Sequence, residues 1–155
     1  MQVKLIKENA ILPTRATRES AGYDLYCLEG FDLLPQSRVL VPTGLVIGIP
    51  EGYYGRIAPR SGLSLKYIDI GGGVIDSDYR GEIKVILINN SSTDIVRFQQ
   101  KDRIAQLIIE KIITPELVIV DVIDEELRNK CYSKDKECTL SELSERGEGG
   151  FGSSG

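Results

Sequence analysis

Histidine and tryptophan are both absent from this 155-residue chain. Without histidine, neither a Ser-His dyad nor a histidine-ligated metal site can form, and this excludes the most common hydrolase chemistries. Cysteine is scarce: Cys27, Cys131 and Cys138 are odd in number, and their spacing matches neither a zinc site nor a disulfide framework.

Long apolar runs are also missing. No stretch reaches about 18 consecutive apolar residues, so we expect no membrane-spanning helix. The N-terminal stretch MQVKLIKENA has neither an apolar signal core nor transit-peptide composition, so we expect an intracellular protein, cytoplasmic or nuclear. The net charge of −4 argues against non-specific binding to nucleic acid, and an anionic ligand would need a local cationic pocket.

What the chain does contain is a series of short segments rich in valine, isoleucine and tyrosine, bounded by glycine, proline, asparagine and aspartate. These segments are RVLVPTGLVIGIP, YYGRIAP, EIKVILINN, DRIAQLIIEKIITP and LVIVDVI. Their number and spacing predict an all-β sandwich or barrel, and the chain length favours one domain. Residues 89–94 and 99–102 are predicted turns. The one helical candidate lies around PRSGLSLKY, where the Ser61 hydroxyl is predicted to cap a short turn that runs to about Tyr67.

The composition changes beyond Ile123. We assign residues 1–123 to the β domain, 124–145 to a charged linker and 146–155 to a C-terminal tail. The simplest interpretation of the linker is a solvated connector, and the alternative is a regulatory or partner-binding insert whose cysteines respond to redox conditions. The tail, RGEGGFGSSG, contains too little apolar surface to fold alone, so we expect it to be flexible.

Several segments interrupt the strand pattern with polar residues. In AGYDLY, Asp24 breaks an aromatic run, and its default interpretation is a turn or edge residue. In PRSGL, Arg60, the Ser61 hydroxyl and the N–H groups near Gly62 are able to converge on an anion, although an ordinary turn fits too. In DRIAQLI, Gln106 either closes a structural hydrogen bond or reaches a ligand, while Arg103 and its neighbour Asp102 are structural by default.

The segment GGGVIDSDYRGE combines glycines with acids. SDYRG is typical of a hairpin tip, and the glycines permit a ligand to approach main-chain N–H and C=O groups. Asp76 and Asp78 would share a face on an ideal strand unless a turn separates them. One of them could serve as a base, because neighbouring acids rarely have the same pKa; the alternative is a hairpin with solvated acids.

AGYDLY, PRSGL, GGGVIDSDYRGE, DRIAQLI and RGEGGFGSSG resemble, in order and spacing, the five motifs of the trimeric dUTPases, especially those of eukaryotes and large DNA viruses. The resemblance runs from Ala21 to the end of the chain. It implies a jelly-roll-like β domain and a homotrimer. Each active site would take the third motif from one chain, the first, second and fourth from a neighbour, and the tail from the remaining chain. The implied reaction converts dUTP and water to dUMP and pyrophosphate, with Mg²⁺ bound by the triphosphate. By the same resemblance, this reaction would keep uracil out of DNA and would supply dUMP for dTTP synthesis.

The resemblance also implies roles for single residues. Asp76 matches the general base that activates the attacking water, and Asp24 matches an acid that helps to hold the metal through water. Tyr79 matches the ring that packs on the deoxyribose, and Phe151 the ring stacked over uracil. The remaining matches are the uracil-reading backbone of Gly73, Val74, Ile75, Asp76, Ser77, Asp78 and Tyr79, the triphosphate contacts Arg60, Ser61, Gly62 and Gln106, the γ-phosphate contact Arg146, and the phosphate-side tail residues Gly152, Ser153 and Ser154.

Two features depart from the family pattern. Residues 127–142 lengthen the connector before the tail, and Lys101 replaces a glycine, so we expect a less tight turn there. Lys84, on the strand after the GGGVIDSDYRGE segment, is a candidate neighbour of the ligand. One rival function is a dCTP deaminase on the same scaffold, for which Glu82 is the nearby candidate glutamate, and another is a catalytically silent nucleotide-sensing module. The intact GVIDSDY and the phenylalanine-bearing tail favour the dUTPase.

Overall fold

Strands dominate the computed structural model, which describes residues 1–119. The chain divides after Pro115, and the fold described below is that of Met1–Pro115. Its elements in order are β1 (Gln2–Leu5), β2 (Tyr23–Tyr26), β3 (Phe31–Leu33), β4 (Ser37–Gly48), β5 (Tyr53–Ala58), α1 (Ser61–Ser64), β6 (Ile68–Gly71), β7 (Val74–Ile75), β8 (Ile83–Asn89), β9 (Val96–Phe98) and β10 (Arg103–Lys111). The all-β prediction with one short helix is confirmed.

The strands form two four-stranded antiparallel sheets and a two-stranded ribbon. The first sheet has the order β1-β4-β8-β6, the second β2-β10-β5-β7, and β3 pairs with β9. The register between β4 and β8 shifts between Pro42 and Leu45, so Thr43 and Gly44 form a bulge in β4.

A single apolar core joins these layers. In β8, Ile83, Val85 and Leu87 are buried and alternate with more exposed residues, as expected for a strand with one face on the core. Residues from both sheets and from the ribbon belong to the same cluster, among them Leu45 of the first sheet and Leu107 of the second. Burial of each large apolar side chain stabilises the fold by about 1.5–3 kcal/mol. None of the helices described is long and apolar enough to cross a membrane.

Both predicted turns are present between strands. In the first, Asn89 closes β8, and its side-chain amide donates to the carbonyls of Leu33 and Asp94 at 3.1 and 2.7 Å. In the second, the Asp102 N–H donates to the Gln99 carbonyl at 3.0 Å.

Lys101 does not loosen the second turn, so that expectation is wrong. Its φ of 73° keeps it in the left-handed region that glycine would occupy. The Asp102 carboxylate accepts the Gln99 N–H at 2.7 Å, and this second hydrogen bond across the turn helps to hold the lysine in its strained conformation.

The helix differs from its prediction in its cap, whereas the helical turn and the turn after it end near Tyr67 as expected. Arg60 is the N-cap, with an extended backbone and no capping side chain, and the α-helix ends at Ser64 before a turn that reaches Tyr67. The Ser61 hydroxyl therefore does not cap it. The chain leaves β5 extended through Arg60, so the first helical residue is Ser61, and the Arg60 carbonyl accepts the N–H groups of Leu63 and Ser64 at 2.9 and 3.0 Å.

The SDYRG segment is not a hairpin tip. β7 pairs with β5, whereas β8 pairs with β4 and β6, so the segment after Ile75 carries the chain from the second sheet to the first. A turn closed by the Tyr79 N–H and the Asp76 carbonyl, 3.2 Å apart, separates Asp76 from Asp78. The two acids therefore do not share a strand face.

The predicted domain boundaries all fall beyond residue 119, so the domain assignment stays a prediction. The first three residues of the predicted strand LVIVDVI, residues 117–119, contain no strand, and its other residues lie outside the described part of the chain. The boundaries at residues 123 and 145, the linker and the tail also lie outside it.

Candidate active site

The first candidate site is a hollow of about 300 Å³ at one end of the second sheet, which we call the Arg60 hollow. Asp24 of β2 pairs with Gln106 of β10, and Gln106 pairs with Ala58 of β5, two residues before Arg60. Three strands thus bring together residues that are far apart in the sequence. The hollow is lined by Ala16, Ser20, Gly22, Asp24, Arg60, Ser61, Gly62, Arg103 and Gln106.

Asp24 organises the charge of this hollow. It is only 9% exposed, and it lies within β2 rather than in a turn. One carboxylate oxygen accepts Nε of Arg60 at 2.9 Å, and the other accepts Nη1 of Arg103 at 3.3 Å. Two guanidinium groups therefore share one carboxylate, and the excess positive charge suits an anion.

Arg103 is the residue that sequence reasoning missed, because it was assigned a structural role by default. It borders the hollow and pairs with Asp24 from the start of β10. Its signal in the sequence was its place three residues before Gln106, within the same motif. Asp102, in contrast, has the structural role assigned to it.

Gln106 is both a structural and a site residue. Its Nε2 donates to the Pro59 carbonyl at 2.9 Å, and its side chain lines the hollow. A Cβ at Gly22 would lie 2.3 Å from Oε1 of Gln106, so the glycine of AGYDLY provides the space for this amide. Gly62 has no such neighbour, because a Cβ there would meet nothing within 4 Å in the chain.

The second candidate site is a hollow of about 290 Å³, which we call the Asp76 hollow. Its lining residues come from β7, from the segment between β7 and β8, and from β4 and β8 of the first sheet. They are Leu40, Val74, Ile75, Asp76, Tyr79, Glu82 and Lys84. Ser77 and Asp78 form the adjoining turn.

Two glycines shape this second hollow by close approach. Gly73 has a φ of 96°, and a Cβ there would lie 2.7 Å from the Ile57 carbonyl oxygen. The Ile57 N–H donates to the Gly73 carbonyl, so the two main-chain segments lie close together. A Cβ at Gly81 would lie 2.4 Å from the Tyr79 hydroxyl oxygen, so the Tyr79 side chain rests against Gly81. That hydroxyl donates to the main-chain carbonyl of Glu82 at 3.0 Å.

The acids around the two hollows differ in how far they are engaged. Asp24 accepts hydrogen bonds from two arginines, and Glu82 accepts the Gly44 N–H at 2.9 Å, with Nζ of Lys84 4.0 Å from its other oxygen. Asp76 is exposed, and within residues 1–119 its carboxylate forms no ion pair and accepts no hydrogen bond.

The two hollows have no lining residue in common. The structure groups Asp24, Arg60, Ser61, Gly62 and Gln106 in one, and Val74, Ile75, Asp76, Tyr79 and Lys84 in the other. The tail residues assigned to the site lie outside the described part of the chain. They are Arg146, Phe151, Gly152, Ser153 and Ser154.

The described cysteine has a structural environment. Cys27 is fully buried, and its Sγ donates to the Gln99 carbonyl at 3.0 Å. Burial raises the pKa of this thiol, which keeps it neutral and unreactive. Cys131 and Cys138 lie outside the described residues.

Comparison with known proteins identifies the family of the chain. The dUTPase family model matches residues 8–135. The deoxyuridine 5'-triphosphate nucleotidohydrolase of Arabidopsis thaliana is 49% identical over 156 residues, covering 99% of this chain and 82% of the relative. The protein of the same name from swinepox virus is 49% identical over 158 residues, covering 100% of this chain and 98% of the relative.

Solved structures show the same fold. A mutant dUTPase of Staphylococcus bacteriophage 80alpha, solved with dUpNHpp, superimposes with a TM-score of 0.80 at 32% identity over 99% of this chain and 97% of its own. A mutant dUTPase from phage phi11 of S. aureus, described with a structural Mg(II) ion, gives 0.73 at 32% identity over 78% and 96%. The fold and the two hollows thus define an all-β protein with a hollow in which two arginines share one carboxylate. The chain belongs to the dUTPase family.

Proposed function

We propose that this protein hydrolyses dUTP to dUMP and pyrophosphate, with Asp76 as the general base for the attacking water. The observation that carries this assignment is the contrast among the acids. Arginines engage Asp24 and a main-chain N–H engages Glu82, whereas Asp76 presents an exposed carboxylate beside Tyr79. A general base must reach its proton, and among these three only Asp76 does so without giving up a structural contact.

In this proposal the Arg60 hollow binds the triphosphate. Phosphoryl transfer depends mainly on positioning and on charge neutralisation. Arg60 and Arg103 bring two positive charges to one carboxylate, and Ser61 and Gly62 lie at the same mouth. Asp24 holds the Arg60 guanidinium in a defined orientation at 2.9 Å, which suits the recognition of phosphate oxygens.

In the same proposal the Asp76 hollow binds the nucleoside. β7 lies at the edge of its sheet, so the main-chain groups on its outer side are available to read the edge of a base. Cytosine reverses donor and acceptor at two positions. Each mismatch would cost about 1–3 kcal/mol, so both together would lower affinity by roughly 30-fold to 3 × 10⁴-fold. A ribose 2'-hydroxyl would meet the Tyr79 ring and lose its water without gaining a partner.

Magnesium, in this proposal, accompanies the triphosphate. Within residues 1–119 no group of three or more histidine, cysteine, aspartate or glutamate side chains is placed to hold a metal, and the Asp24 carboxylate already serves two arginines. This donor set fits an ion held mainly by phosphate oxygens, with Asp24 reached through water. When bound, the ion would neutralise phosphate charge.

We also propose that the active site forms between copies of the chain in a homotrimer. The argument is that the proposed base and the triphosphate contacts line two hollows that share no residue. A second copy would then bring an Arg60 hollow to an Asp76 hollow. The tail residues Arg146 and Phe151 would complete the site from the remaining copy, covering the phosphates and the base. The product dUMP would feed dTTP synthesis, and removal of dUTP would keep uracil out of DNA.

The activity is tested by pyrophosphate release from dUTP, dTTP, dCTP and UTP in the presence of Mg²⁺. We expect fast release from dUTP alone, and a loss of about 10²- to 10⁴-fold in kcat for Asp76→Asn with dUTP binding retained. Asp69→Asn is the matched control, because Asp69 is an exposed acid outside both hollows. Equal rates for wild type and Asp76→Asn would remove the base assignment, and ammonia release from dCTP would favour the deaminase.

Sharing of the site is tested by mixing two inactive variants, Asp76→Asn and Arg60→Gln. If each site takes Asp76 from one chain and Arg60 from another, random co-assembly restores roughly a quarter of the wild-type sites. The mixture should therefore be active after the subunits are allowed to exchange, although each variant alone is not. A mixture that stays inactive after verified exchange would place both residues in one chain's site.

A further inference from the structure

Glu82 has an environment unlike that of an ordinary surface acid. It directly precedes β8, and its side chain is only 17% exposed. Its Oε1 accepts the Gly44 N–H at 2.9 Å, across 38 positions of sequence. The side chain therefore connects the beginning of β8 to a distant point of β4.

That point is the β4 bulge. Gly44 has a φ of 70°, and a Cβ there would lie 2.8 Å from the Cβ of Ala10, so both conformation and space favour glycine. The neighbouring Thr43 is buried, and its hydroxyl donates to the Ile83 carbonyl at 2.6 Å. Two hydrogen bonds from consecutive bulge residues thus hold Glu82 and Ile83.

The main chain of Glu82 in turn holds Tyr79. The Tyr79 hydroxyl donates to the Glu82 carbonyl at 3.0 Å, and its ring lies against Gly81 between them. At the other end of the residue, the Tyr79 N–H donates to the Asp76 carbonyl at 3.2 Å. Tyr79 is therefore held at its main chain and at its hydroxyl, and the position of the hydroxyl depends on where the Glu82 carbonyl lies.

We propose that Glu82 is a positioning residue for sugar specificity. Its contact with the Gly44 N–H holds its own carbonyl, and that carbonyl holds the Tyr79 ring where the ring excludes a ribose 2'-hydroxyl. This inference rests on the proposed function, because it assigns the discrimination between dUTP and UTP to Tyr79. It adds that the discrimination depends on the β4 bulge of the first sheet, which supports the Tyr79 ring through Glu82.

The test compares kcat/KM for dUTP and for UTP in four variants. Glu82→Met has a similar volume and no acceptor for the Gly44 N–H, so the dUTP-to-UTP ratio should fall about tenfold. Tyr79→Phe retains the ring and loses the hydroxyl, so the ratio should fall to a similar extent. The double variant should be no worse than the more affected single variant, because both changes break the same chain of contacts.

Glu82→Gln is the conservative control. Its amide oxygen still accepts the Gly44 N–H, while the charge that lies 4.0 Å from Nζ of Lys84 is gone. A wild-type ratio in Glu82→Gln assigns the effect to the hydrogen bond, whereas a ratio as low as that of Glu82→Met assigns it to charge and overturns the proposal. A merely structural role would lower kcat/KM for both nucleotides in equal proportion and leave the ratio unchanged.

A second measurement separates this inference from the activity itself. In tyrosine-labelled protein, the Tyr79 ring resonances, identified by their loss in Tyr79→Phe, should shift in Glu82→Met and not in Glu82→Gln. If the resonances shift but the protein does not hydrolyse dUTP, the missing hydrolysis contradicts the proposed function and the shift still supports the contact between Glu82 and Tyr79. Unchanged resonances, or additive effects of Glu82→Met and Tyr79→Phe on the ratio, would overturn the inference. If Glu82→Met does not fold, an unchanged ratio in Tyr79→Phe overturns it alone.

Discussion

Replacement of Asp24 by asparagine tests the organisation of the Arg60 hollow most directly. Asparagine has the same shape and keeps one acceptor oxygen, so the change removes charge with little change in packing. Charge-assisted hydrogen bonds contribute about 1.5–3 kcal/mol when they are shielded from water. The Arg60 contact, at 2.9 Å with 29% of that side chain exposed, lies near the lower end of this range.

The Arg103 contact adds less. It is longer, at 3.3 Å, and 48% of the Arg103 side chain is exposed, so solvent screening reduces its contribution to below about 1 kcal/mol. Together the two contacts predict that Asp24→Asn lowers the free energy of unfolding by about 2 kcal/mol. With a typical urea dependence, the unfolding midpoint should fall by roughly 1 M.

The assays are urea unfolding at one fixed protein concentration and pyrophosphate release from dUTP. Without its carboxylate partner, Arg60 is no longer oriented, so kcat/KM for dUTP should fall by about 10- to 100-fold. Asp32→Asn is the control, because its ion pair with Arg97 is 3.6 Å long and both side chains are more than half exposed. If Asp24→Asn unfolded like Asp32→Asn and kept full activity, Asp24 would not organise the hollow.

Two further predictions concern other parts of the fold. Gly73→Ala should lower the free energy of unfolding, measured in urea, by more than the ~1–3 kcal/mol of backbone strain alone. The reason is that φ is 96° and the Cβ would also lie 2.7 Å from the Ile57 carbonyl oxygen. Gly52→Ala, with a φ of 78° and open space, isolates the conformational part, so equal effects would exclude the steric argument. Hydrogen bonds from Tyr54 and then Arg56 lower the pKa of Glu110 below 4.5, so its contribution to stability is present above that pH and is lost as the pH falls through the lowered pKa. The thermal unfolding midpoint of Glu110→Gln should therefore fall less steeply below pH 4.5 than the midpoint of wild type. Parallel plots of midpoint against pH would contradict this pKa shift.

Much of the fold was predictable because strand formation is a local property of the sequence. The alternation around Ile83 and Val85 reports one buried face, and the polar clusters after Asn89 and at Gln99 mark the turns. The errors occurred where a local signal competes with pairing. SDYRG has the composition of a hairpin tip, but β7 contains two residues and pairs with β5 instead of β8.

The candidate site shows the same division. Asp24, Arg60 and Gln106 were identified from their motifs, yet the motifs did not indicate that Asp24 is buried between two arginines. Arg103 was missed because an arginine at the start of a strand is usually solvated. Only the pairing of β2 with β10 brings its guanidinium to the Asp24 carboxylate.

The sequence by itself determined the strand content, the chemical types of the candidate site residues and the absence of histidine chemistry, because each of these is a property of single residues or short patterns. The tertiary structure decided which of those residues meet. It separates Arg60 from Asp76 into two hollows, and it places Glu82 against a bulge 38 positions away. Such contacts depend on sheet order and register, which arise from the packing of the whole core and not from any local stretch of the chain.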